Sequence, residues 1–434
     1  FSQSISTPQF DPYELDVELK DKFSVIDADA NLSKSRKKEL IDSVKYVAQD
    51  VTTIKSINVT NLQKVRTNPE KQPRVYDVEN FNFTYAFIQT DRRNPIIEKE
   101  VITKPTKIEI VKPEILSIEN LSLTIQGKPV LPVLQNVSFT LEEGEILALV
   151  GESGSGKSLT ALSITKLLPV KQFEYTTGKI IFSGTNILEV SDEKLRAIRG
   201  KEIAYIFQDP FTSLNPLKKI KDQIIESYKI HISENEKEAV DKAKYLLNKV
   251  GLTELDDRLN SYPGQMSGGM LQRICIASAL MCDPKLLIAD EPTSALDVTI
   301  QSQLVDLLLK IKEEISMSIL FISHDISLVA SLANRIAVMY AGQIVEIGET
   351  DLLIEKPNHP YTQALLRSIP SGIKSHQRLA VIDGIVPSPV NYPVGCHFST
   401  RCPQVMERCK LEKPLLYELT QNRRSACFLQ EKKK

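Results

Sequence analysis

EILALVGESGSGKSLTALSITKLL, residues 145–168, places a glycine-rich loop between two apolar segments. The continuous apolar run 146–150 predicts a buried strand, and the run that starts at Leu159 predicts a helix. The loop has the pattern G-x-x-x-x-G-K-S from Gly151 to Ser158, in the strand, loop, helix order that makes this motif specific. The stretch therefore predicts a phosphate-binding loop in an α/β domain.

The loop residues have the chemistry to hold a nucleoside phosphate. Glycines let backbone N–H groups turn towards phosphate oxygens, and the helix adds its positive N-terminal end. Lys157 would neutralise the β and γ phosphates, and the Ser158 hydroxyl would ligate Mg²⁺. The predicted nucleotide contacts are Gly151, Glu152, Ser153, Gly154, Ser155, Gly156, Lys157, Ser158 and Leu159.

Polar side chains follow three further predicted strands. The run 286–289 predicts a buried strand that carries Asp290 and Glu291 at its carboxyl end, where ligands of parallel sheets collect. We expect Asp290 to hold Mg²⁺ through water and Glu291 to be the general base that activates water. Gln208 and His324 also follow apolar strands. Gln208 suits a metal or water contact, and His324 suits a hydrogen bond to the γ-phosphate.

A second glycine patch, SYPGQMSGGMLQR, spans residues 261–273. Ser267 offers a hydroxyl, and Gly268 and Gly269 let backbone amides approach an anion. A helix is predicted to follow, with its N-terminus at the patch. The chain therefore has a second candidate for binding phosphate.

Composition narrows the class of protein. The 434 residues contain 54 Lys and Arg against 55 Asp and Glu, a net charge of −1, which argues against nucleic acid as the main partner. No apolar run approaches the roughly 20 residues that cross a bilayer, and the N-terminus lacks a signal pattern. We expect a soluble, intracellular protein of two or three domains.

The composition and the apolar pattern of the chain change at about residue 115 and again at about residue 350. Residues 1–114 are polar and carry no recognised motif, so they are interpreted as an N-terminal extension of unknown role. Residues 115–350 alternate short apolar strands with helices, which favours a mostly parallel sheet covered by helices. Residues 351–434 are rich in Pro and Cys and are interpreted as a small C-terminal module.

Four of the six cysteines lie in this last segment. Cys275 and Cys282, by contrast, are expected to be buried in a helical pattern. Four thiols at such intervals can converge on one tetrahedral centre, which would be Zn²⁺ or an iron–sulfur cluster. The spacing does not choose between metal, cluster and free thiols. The four candidate ligands are Cys396, Cys402, Cys409 and Cys427.

Two more residues, His397 and Arg401, stand among these cysteines. We expect structural or solvent-facing roles for both.

The order of motifs resembles the nucleotide-binding subunit of an ATP-binding cassette (ABC) transporter over about residues 115–350. That order is phosphate loop, Gln208, MSGGM, Asp290–Glu291, SALD and His324. The resemblance implies an ABC-type P-loop fold: a mostly parallel sheet, an antiparallel β subdomain and a helical subdomain at about 209–280. It implies an ATPase that uses Mg²⁺.

The resemblance also explains why one chain has two phosphate-binding patches. In this family the patch at Ser267, Gly268 and Gly269 caps the γ-phosphate of ATP held by a partner subunit, and Asp297 of SALD communicates across the interface. The family usually stacks adenine on an aromatic residue, where Ile125 stands here. Tyr85 is the alternative base contact.

Finer features are similar to the D-type ATPase of oligopeptide and dipeptide importers. These are Met270 after SGG, FQDPFTSLNP at 207–216 and HPYTQALLRSIP at 359–370. The similarity implies a [4Fe-4S] cluster at the four cysteines in preference to zinc or free thiols. It implies a peripheral location at the cytoplasmic face of the bacterial plasma membrane.

The partners implied are a related F-type ATPase in a heterodimer, two permease subunits and an extracytoplasmic binding protein, with no nucleic acid. A homodimer is the second option. Import of another substrate, such as a nickel chelate or a sugar, stays open, as does a soluble ABC ATPase that acts on ribosomes or DNA.

Overall fold

The chain folds as two compact units, Phe1–Pro113 and Glu114–Lys434. The computed structural model describes residues 2–6, 50–59, 85–94, 97–102, 113–293, 298–368, 382–420 and 422–431, with single helical positions at 34, 37, 38 and 41. The phosphate loop, the second glycine patch and the four C-terminal cysteines all lie in the second unit.

The first unit contains a four-stranded antiparallel sheet in the order β1-β2-β3-β4. Its strands are β1 (Ser2–Ser6), β2 (Asp50–Val59), β3 (Tyr85–Asn94) and β4 (Ile97–Ile102). Tyr85 is the first residue of β3, and its side chain lies outside the described part of the chain. The predicted contact between Tyr85 and adenine therefore stays a prediction.

The second unit is built on an eight-stranded sheet in the order β10-β11-β12-β7-β13-β14-β16-β15. The first five strands in this order run parallel, and the last three pair antiparallel. The strands are β7 (Ile146–Val150), β10 (Ile203–Ile206), β11 (Leu286–Asp290), β12 (Ser318–Ser323), β13 (Arg335–Tyr340), β14 (Gln343–Glu349), β15 (Tyr417–Thr420) and β16 (Arg423–Ser425).

A smaller antiparallel sheet, in the order β6-β5-β8-β9, belongs to the same unit. Its strands are β5 (Glu114–Ile125), β6 (Leu131–Glu142), β8 (Phe173–Phe182) and β9 (Thr185–Asn186). Buried and less buried positions alternate from Leu121 to Thr124 in β5 and from Val137 to Glu142 in β6, because one face of this sheet packs against the core there.

Helices connect the strands of the large sheet. Those before β11 are α1 (Lys157–Ile164), α2 (Asp192–Ile198), α3 (Pro210–Ser213), α4 (Ile220–Ile224), α5 (Glu226–His231), α6 (Glu236–Lys249), α7 (Leu255–Asn260) and α8 (Gly268–Ala279). Those after it are α9 (Val298–Ile315), α10 (Ile326–Ala330), α11 (Thr350–Glu355), α12 (Pro360–Arg367) and α13 (Glu407–Leu411). Short 3₁₀ segments lie at Pro263–Gln265, Pro389–Asn391 and Phe428–Gln430. Among the described residues, no helix is both long and apolar enough to cross a bilayer.

The large sheet is buried on both faces. Leu286 and Ile288 of β11 pack in one core with the smaller sheet, α1 and α2, whereas Leu287 and Ala289 pack in a second core with helices that include α4, α6 and α8. This two-sided burial is the reason that β7, β11 and β12 are continuous apolar runs. The predicted α/β class is confirmed, and the carboxyl ends of β7, β11 and β12 meet at one edge.

The segment after residue 350 is not separate from this sheet. In β16, Arg424 pairs with Ile347 of β14 and Ser425 pairs with Glu346. Buried Arg423 lies 3.4 Å from the fully buried carboxylate of Glu346. The sequence pattern suggested an appended module, but two of its strands complete the sheet of the preceding domain.

Candidate nucleotide site

The phosphate loop runs between β7 and α1 and is pressed against β13. Gly156 precedes α1 with a left-handed φ of +105°, and a Cβ there would lie 2.8 Å from Met339 Cε and 2.9 Å from Leu134 Cδ2. A Cβ at Gly151 would lie 2.2 Å from the backbone oxygen of Met339. Both positions therefore require glycine, because no side chain fits against these neighbours.

Lys157 is folded into the loop that it follows. Its side chain is 5% exposed, and Nζ donates to the backbone oxygens of Gly151 at 2.8 Å and Glu152 at 3.1 Å. Burial lowers the pKa of Lys157, and the carboxylates of Glu291, Asp290 and Glu152 oppose this shift. A positive charge thus lies at the base of the loop, where phosphate oxygens are expected.

Ser158 and Asp290, two of the three predicted magnesium ligands, are in contact. The Ser158 hydroxyl donates to Asp290 Oδ1 at 3.1 Å, and the Tyr205 hydroxyl donates to Oδ2 at 3.0 Å. Burial raises the pKa of Asp290, whereas the hydrogen bonds from Ser158 and Tyr205 lower it. A hydroxyl and a carboxylate are oxygen ligands of the kind that Mg²⁺ prefers, so the donor set fits the ion.

The other two catalytic candidates, Gln208 and His324, both lie next to the predicted base, Glu291. Gln208 Nε2 donates to Glu291 Oε2 at 2.9 Å, and His324 Nδ1 lies 3.3 Å from the same oxygen. Lys157 Nζ lies 4.0 Å from Oε1. Glu291 itself has a left-handed φ of +47°, a backbone conformation that is uncommon for residues other than glycine.

Lys157, Gln208 and Glu291 border one cavity of about 220 Å³, whereas His324 does not line it. Its lining residues are Val133, Ser153, Gly154, Gly156, Lys157, Ser158, Leu159, Gln208, Glu291 and Pro389. The lining combines the phosphate loop and catalytic candidates with the apolar side chains of Val133 and Pro389. Ile125, which stands where the family usually has its adenine-stacking aromatic residue, is not part of this lining.

The second glycine patch lies elsewhere. Ser267 caps α8, and its hydroxyl accepts from the backbone N–H of Met270 at 3.4 Å. Ser267, Gly268 and Gly269 are all described, and none of them lines the cavity. Asp297, predicted to communicate between subunits, lies outside the described residues.

The patch is nevertheless joined to the site through α3. Gln208 stands two residues before α3, and Asp209 caps this helix by accepting from the backbone N–H of Phe211 at 2.9 Å. The Phe211 ring lies 3.5 Å from the Cβ position of Gly268. A movement of Gln208 would therefore be transmitted to the start of α8 through Asp209 and Phe211.

The four C-terminal cysteines line one cavity of about 10 Å³ and form no disulfide. Burial raises the pKa of the Cys396 thiol to about 12 and that of Cys427 to about 11. Within the described part of the chain, no group of three or more His, Cys, Asp or Glu side chains is arranged to hold a metal ion. The predicted iron–sulfur or zinc centre is therefore not supported by this geometry.

Four residues near the site were not predicted to act there. Tyr205 stands in an apolar strand and Pro389 in a proline-rich segment, so neither has a local motif. Tyr361 and Arg401 both contact Glu152 of the phosphate loop. Arg401 stands out from the sequence only as a charged residue among buried cysteines.

Comparison with known families agrees with the motifs. A family model described as ABC transporter matches residues 134–294. A second model, described as the C-terminal region of oligopeptide/dipeptide transporters, matches residues 345–409. The two matches cover the phosphate site and most of the segment that carries Arg401.

Curated relatives are similar over almost their whole length. A probable peptide ABC transporter ATP-binding protein of Sinorhizobium fredii is 45% identical over 72% of this chain and 94% of its own. A dipeptide transport ATP-binding protein of Escherichia coli is 45% identical over 68% of this chain and 90% of its own. A solved dimeric ATP-binding cassette, MJ0796 bound to ADP and Pi, is 28% identical with a TM-score of 0.50, over 54% of this chain and 98% of its own.

Proposed function

The chain belongs to the family of ATP-binding subunits of peptide ABC transporters, and we propose that Glu291 is the general base of its ATPase. The protein is the ATP-hydrolysing subunit that energises import of peptides or dipeptides. In the proposed site, residues 151–159 bind the phosphates of ATP. Ser158, Gln208 and Asp290 hold Mg²⁺, which when bound neutralises phosphate charge.

The observation that carries the proposal is the environment of the Glu291 carboxylate. Gln208 and His324 both approach one oxygen, and Lys157 approaches the other. These contacts orient the carboxylate beside the cavity that the phosphate loop lines. A base must lie within hydrogen-bond reach of its water, and a positioned carboxylate at the cavity wall meets that need.

Glu291→Gln tests this role, because it keeps the shape of the side chain and removes the proton acceptor. We expect ATP binding to persist and turnover of the assembled importer to fall by about 10²- to 10⁴-fold. Size-exclusion chromatography with ATP should show the variant stalled as a closed pair of ATPase subunits. The matched control is Glu236→Gln, a change at an exposed glutamate of α6, which should leave turnover intact. Unchanged turnover in Glu291→Gln would place the base elsewhere.

A composite site between two subunits is the second part of the proposal. Ser267, Gly268 and Gly269 do not line the cavity of their own chain, which supports a role at the γ-phosphate of ATP on a partner. The contact between Phe211 and Gly268 supports coupling of the two half-sites, with the helical segment 209–280 transmitting motion to a permease. Asp297 would communicate across the same interface.

For partners we propose a related F-type ATPase in a heterodimer, two permease subunits and an extracytoplasmic binding protein, at the cytoplasmic face of the plasma membrane. The relatives' names as peptide and dipeptide transport ATP-binding proteins support the association with a membrane transporter, and the F-type partner rests on the family resemblance alone. Purification of the tagged chain from cross-linked membranes, with identification of the proteins recovered with it, tests this assembly. Recovery of only a second copy of this chain would favour a homodimer, and recovery of ribosomes or DNA would contradict an importer.

The finer proposal for the cysteines is a [4Fe-4S] cluster held by Cys396, Cys402, Cys409 and Cys427. Its support is that the four side chains line one cavity. Anaerobic purification followed by measurement of the iron, sulfide and zinc content shows whether the four cysteines hold a cluster, zinc or neither. Four titratable thiols without iron or zinc would reject it.

A further inference from the structure

Arg401 joins the C-terminal segment to the phosphate loop. Its Nη1 lies 2.6 Å from Glu152 Oε2 and its Nη2 lies 3.1 Å from Oε1, so the guanidinium and the carboxylate form a two-pronged ion pair. The Arg401 side chain is 4% exposed and that of Glu152 is 26% exposed. A pair of this geometry, shielded from water, gives a stronger and more directional contact than a surface ion pair.

Glu152 is held at two further atoms. Its backbone N–H donates to the hydroxyl of Tyr361 at 2.9 Å, and Tyr361 is fully buried. Its backbone oxygen accepts from Lys157 Nζ at 3.1 Å. One loop residue therefore connects the C-terminal segment with the lysine that faces phosphate, and a displaced Glu152 would displace an anchor of Lys157.

Arg401 is itself fixed in place. Besides its two bonds to Glu152, Nε donates to the backbone oxygen of Asp383 at 2.8 Å, Nη2 donates to that of Ile382 at 3.1 Å and Nη1 donates to the Tyr340 hydroxyl at 3.3 Å. A guanidinium has five N–H donors, and each has an acceptor here. This arrangement needs arginine, because lysine lacks the planar fork.

The same C-terminal segment reaches the cavity directly. Pro389, in the 3₁₀ segment Pro389–Asn391, lines the cavity together with Val133. The C-terminal segment thus borders the nucleotide site at Pro389 and binds the phosphate loop through Arg401.

We propose that Arg401 is a positioning residue for ATP binding. By holding Glu152, it keeps the phosphate loop and Lys157 in the conformation that receives the nucleotide. The inference rests on the proposed function, in which residues 151–159 bind ATP.

The test compares KM and kcat for ATP in the assembled importer, with binding of Mg-ATP to the full-length chain as a second readout. In Arg401→Gln we expect KM and Kd to rise about 10-fold or more, because a shift of about 1 Å in a positioning group has large effects, while kcat changes little. Arg401→Lys should be intermediate. The double variant Glu152→Gln, Arg401→Gln should bind ATP no more weakly than the weaker-binding single variant. Both changes remove the same interaction, the pair between Arg401 and Glu152.

Arg408→Gln is the matched control. Arg408 lies in the same segment but is exposed, and it pairs with Glu412 and Glu431 away from the loop. Its KM should equal that of the unchanged protein. Titration of accessible thiols in Arg401→Gln checks that the neighbouring Cys402 is undisturbed.

Two results would overturn the inference. One is an unchanged KM and Kd in Arg401→Gln. The other is a fall in kcat and melting temperature together at constant KM, which means loss of folded protein only. Lys157→Ala separates this inference from the proposed function. If Lys157→Ala abolishes ATP binding and Arg401→Gln does not weaken it, only the positioning role fails. If Lys157→Ala binds ATP normally, the proposed site fails as well.

Discussion

Several ionisable side chains of the second unit lie almost wholly out of water. Lys157 and Asp290 are each 5% exposed, His359 is 1% exposed and Glu346 is fully buried. Lys157 is satisfied by loop carbonyls and Asp290 by two hydroxyls. Glu346 accepts two backbone N–H groups and faces Arg423. Charges persist in a protein interior only with such partners, so each of these positions is sensitive to pH or to substitution.

The burial of His359 predicts that acid destabilises the folded C-terminal segment. Burial lowers its pKa to about 3 from a usual value of 6.5, so the unfolded chain takes up the proton first. Its contribution to the free energy of unfolding is fully present above pH 6.5. That contribution is lost as the pH falls from 6.5 towards 3, by about 1.4 kcal/mol per pH unit.

His359→Asn should remove this slope. Asn keeps an acceptor for the backbone N–H of Tyr361, which now donates to His359 Nδ1 at 3.0 Å, but it does not titrate. Urea unfolding of both proteins between pH 7 and about pH 4.5 gives the two slopes. Parallel curves for the two proteins would mean that His359 is protonated in the folded state as readily as in the unfolded chain.

At the scale of elements, the strands that carry the site were predictable from the sequence. Strands β7, β11 and β12 are apolar throughout because they are covered on both faces, and polar site residues follow where each strand ends. Ser267 differs, since no local pattern shows that the start of α8 lies away from the cavity. Only the family resemblance predicts a role for Ser267 with a partner subunit.

Ser267→Ala tests that role against the ordinary function of a helix cap. Ser191 is a natural control, because it caps α2 by accepting from Lys194 at 3.4 Å, the same distance as at Ser267. Each alanine variant should lose about 1 kcal/mol or less of unfolding free energy. Only Ser267→Ala should slow hydrolysis in the assembled importer, on the order of 100-fold, as for loss of a donor to a reacting oxygen.

Binding of ATP to the isolated Ser267→Ala chain should stay unchanged, because Ser267 does not line the cavity of its own chain. Weaker binding there would contradict the composite site. Equal turnover of the Ser191→Ala and Ser267→Ala variants would assign Ser267 to capping alone.

Across the whole molecule, the contacts that sequence analysis missed involve residues that no motif marks, such as Arg401 and Tyr205. Arg401 and Glu152 are 249 positions apart, and Tyr205 and Asp290 are 85 apart. Neither pair has a periodic pattern or a motif, since each arises only when the sheet brings distant segments together. The sequence could therefore predict the phosphate loop and the acidic pair, but not the residues that hold them.

Arg423→Met tests whether the C-terminal segment stabilises the whole sheet. It leaves the carboxylate of Glu346 buried with only backbone N–H partners, so we expect a loss of about 3 kcal/mol, at the low end for a broken buried ion pair. Arg424→Met, the neighbouring exposed change in β16, should cost little. Chemical denaturation of both variants measures the difference. Equal stability would show that the contact between Arg423 and Glu346 contributes nothing.

The pairing of β16 with β14 also sets an order of events on the ribosome. The chain emerges from its amino end, so the phosphate loop, β7 and β14 leave the exit tunnel well before Arg423–Ser425. During that interval β14 has an open edge and Glu346 has no arginine, which leaves the nascent cassette exposed to wrong pairing. Translation must therefore pass β16, and β16 must leave the tunnel, before a nascent subunit can reach its final strand order.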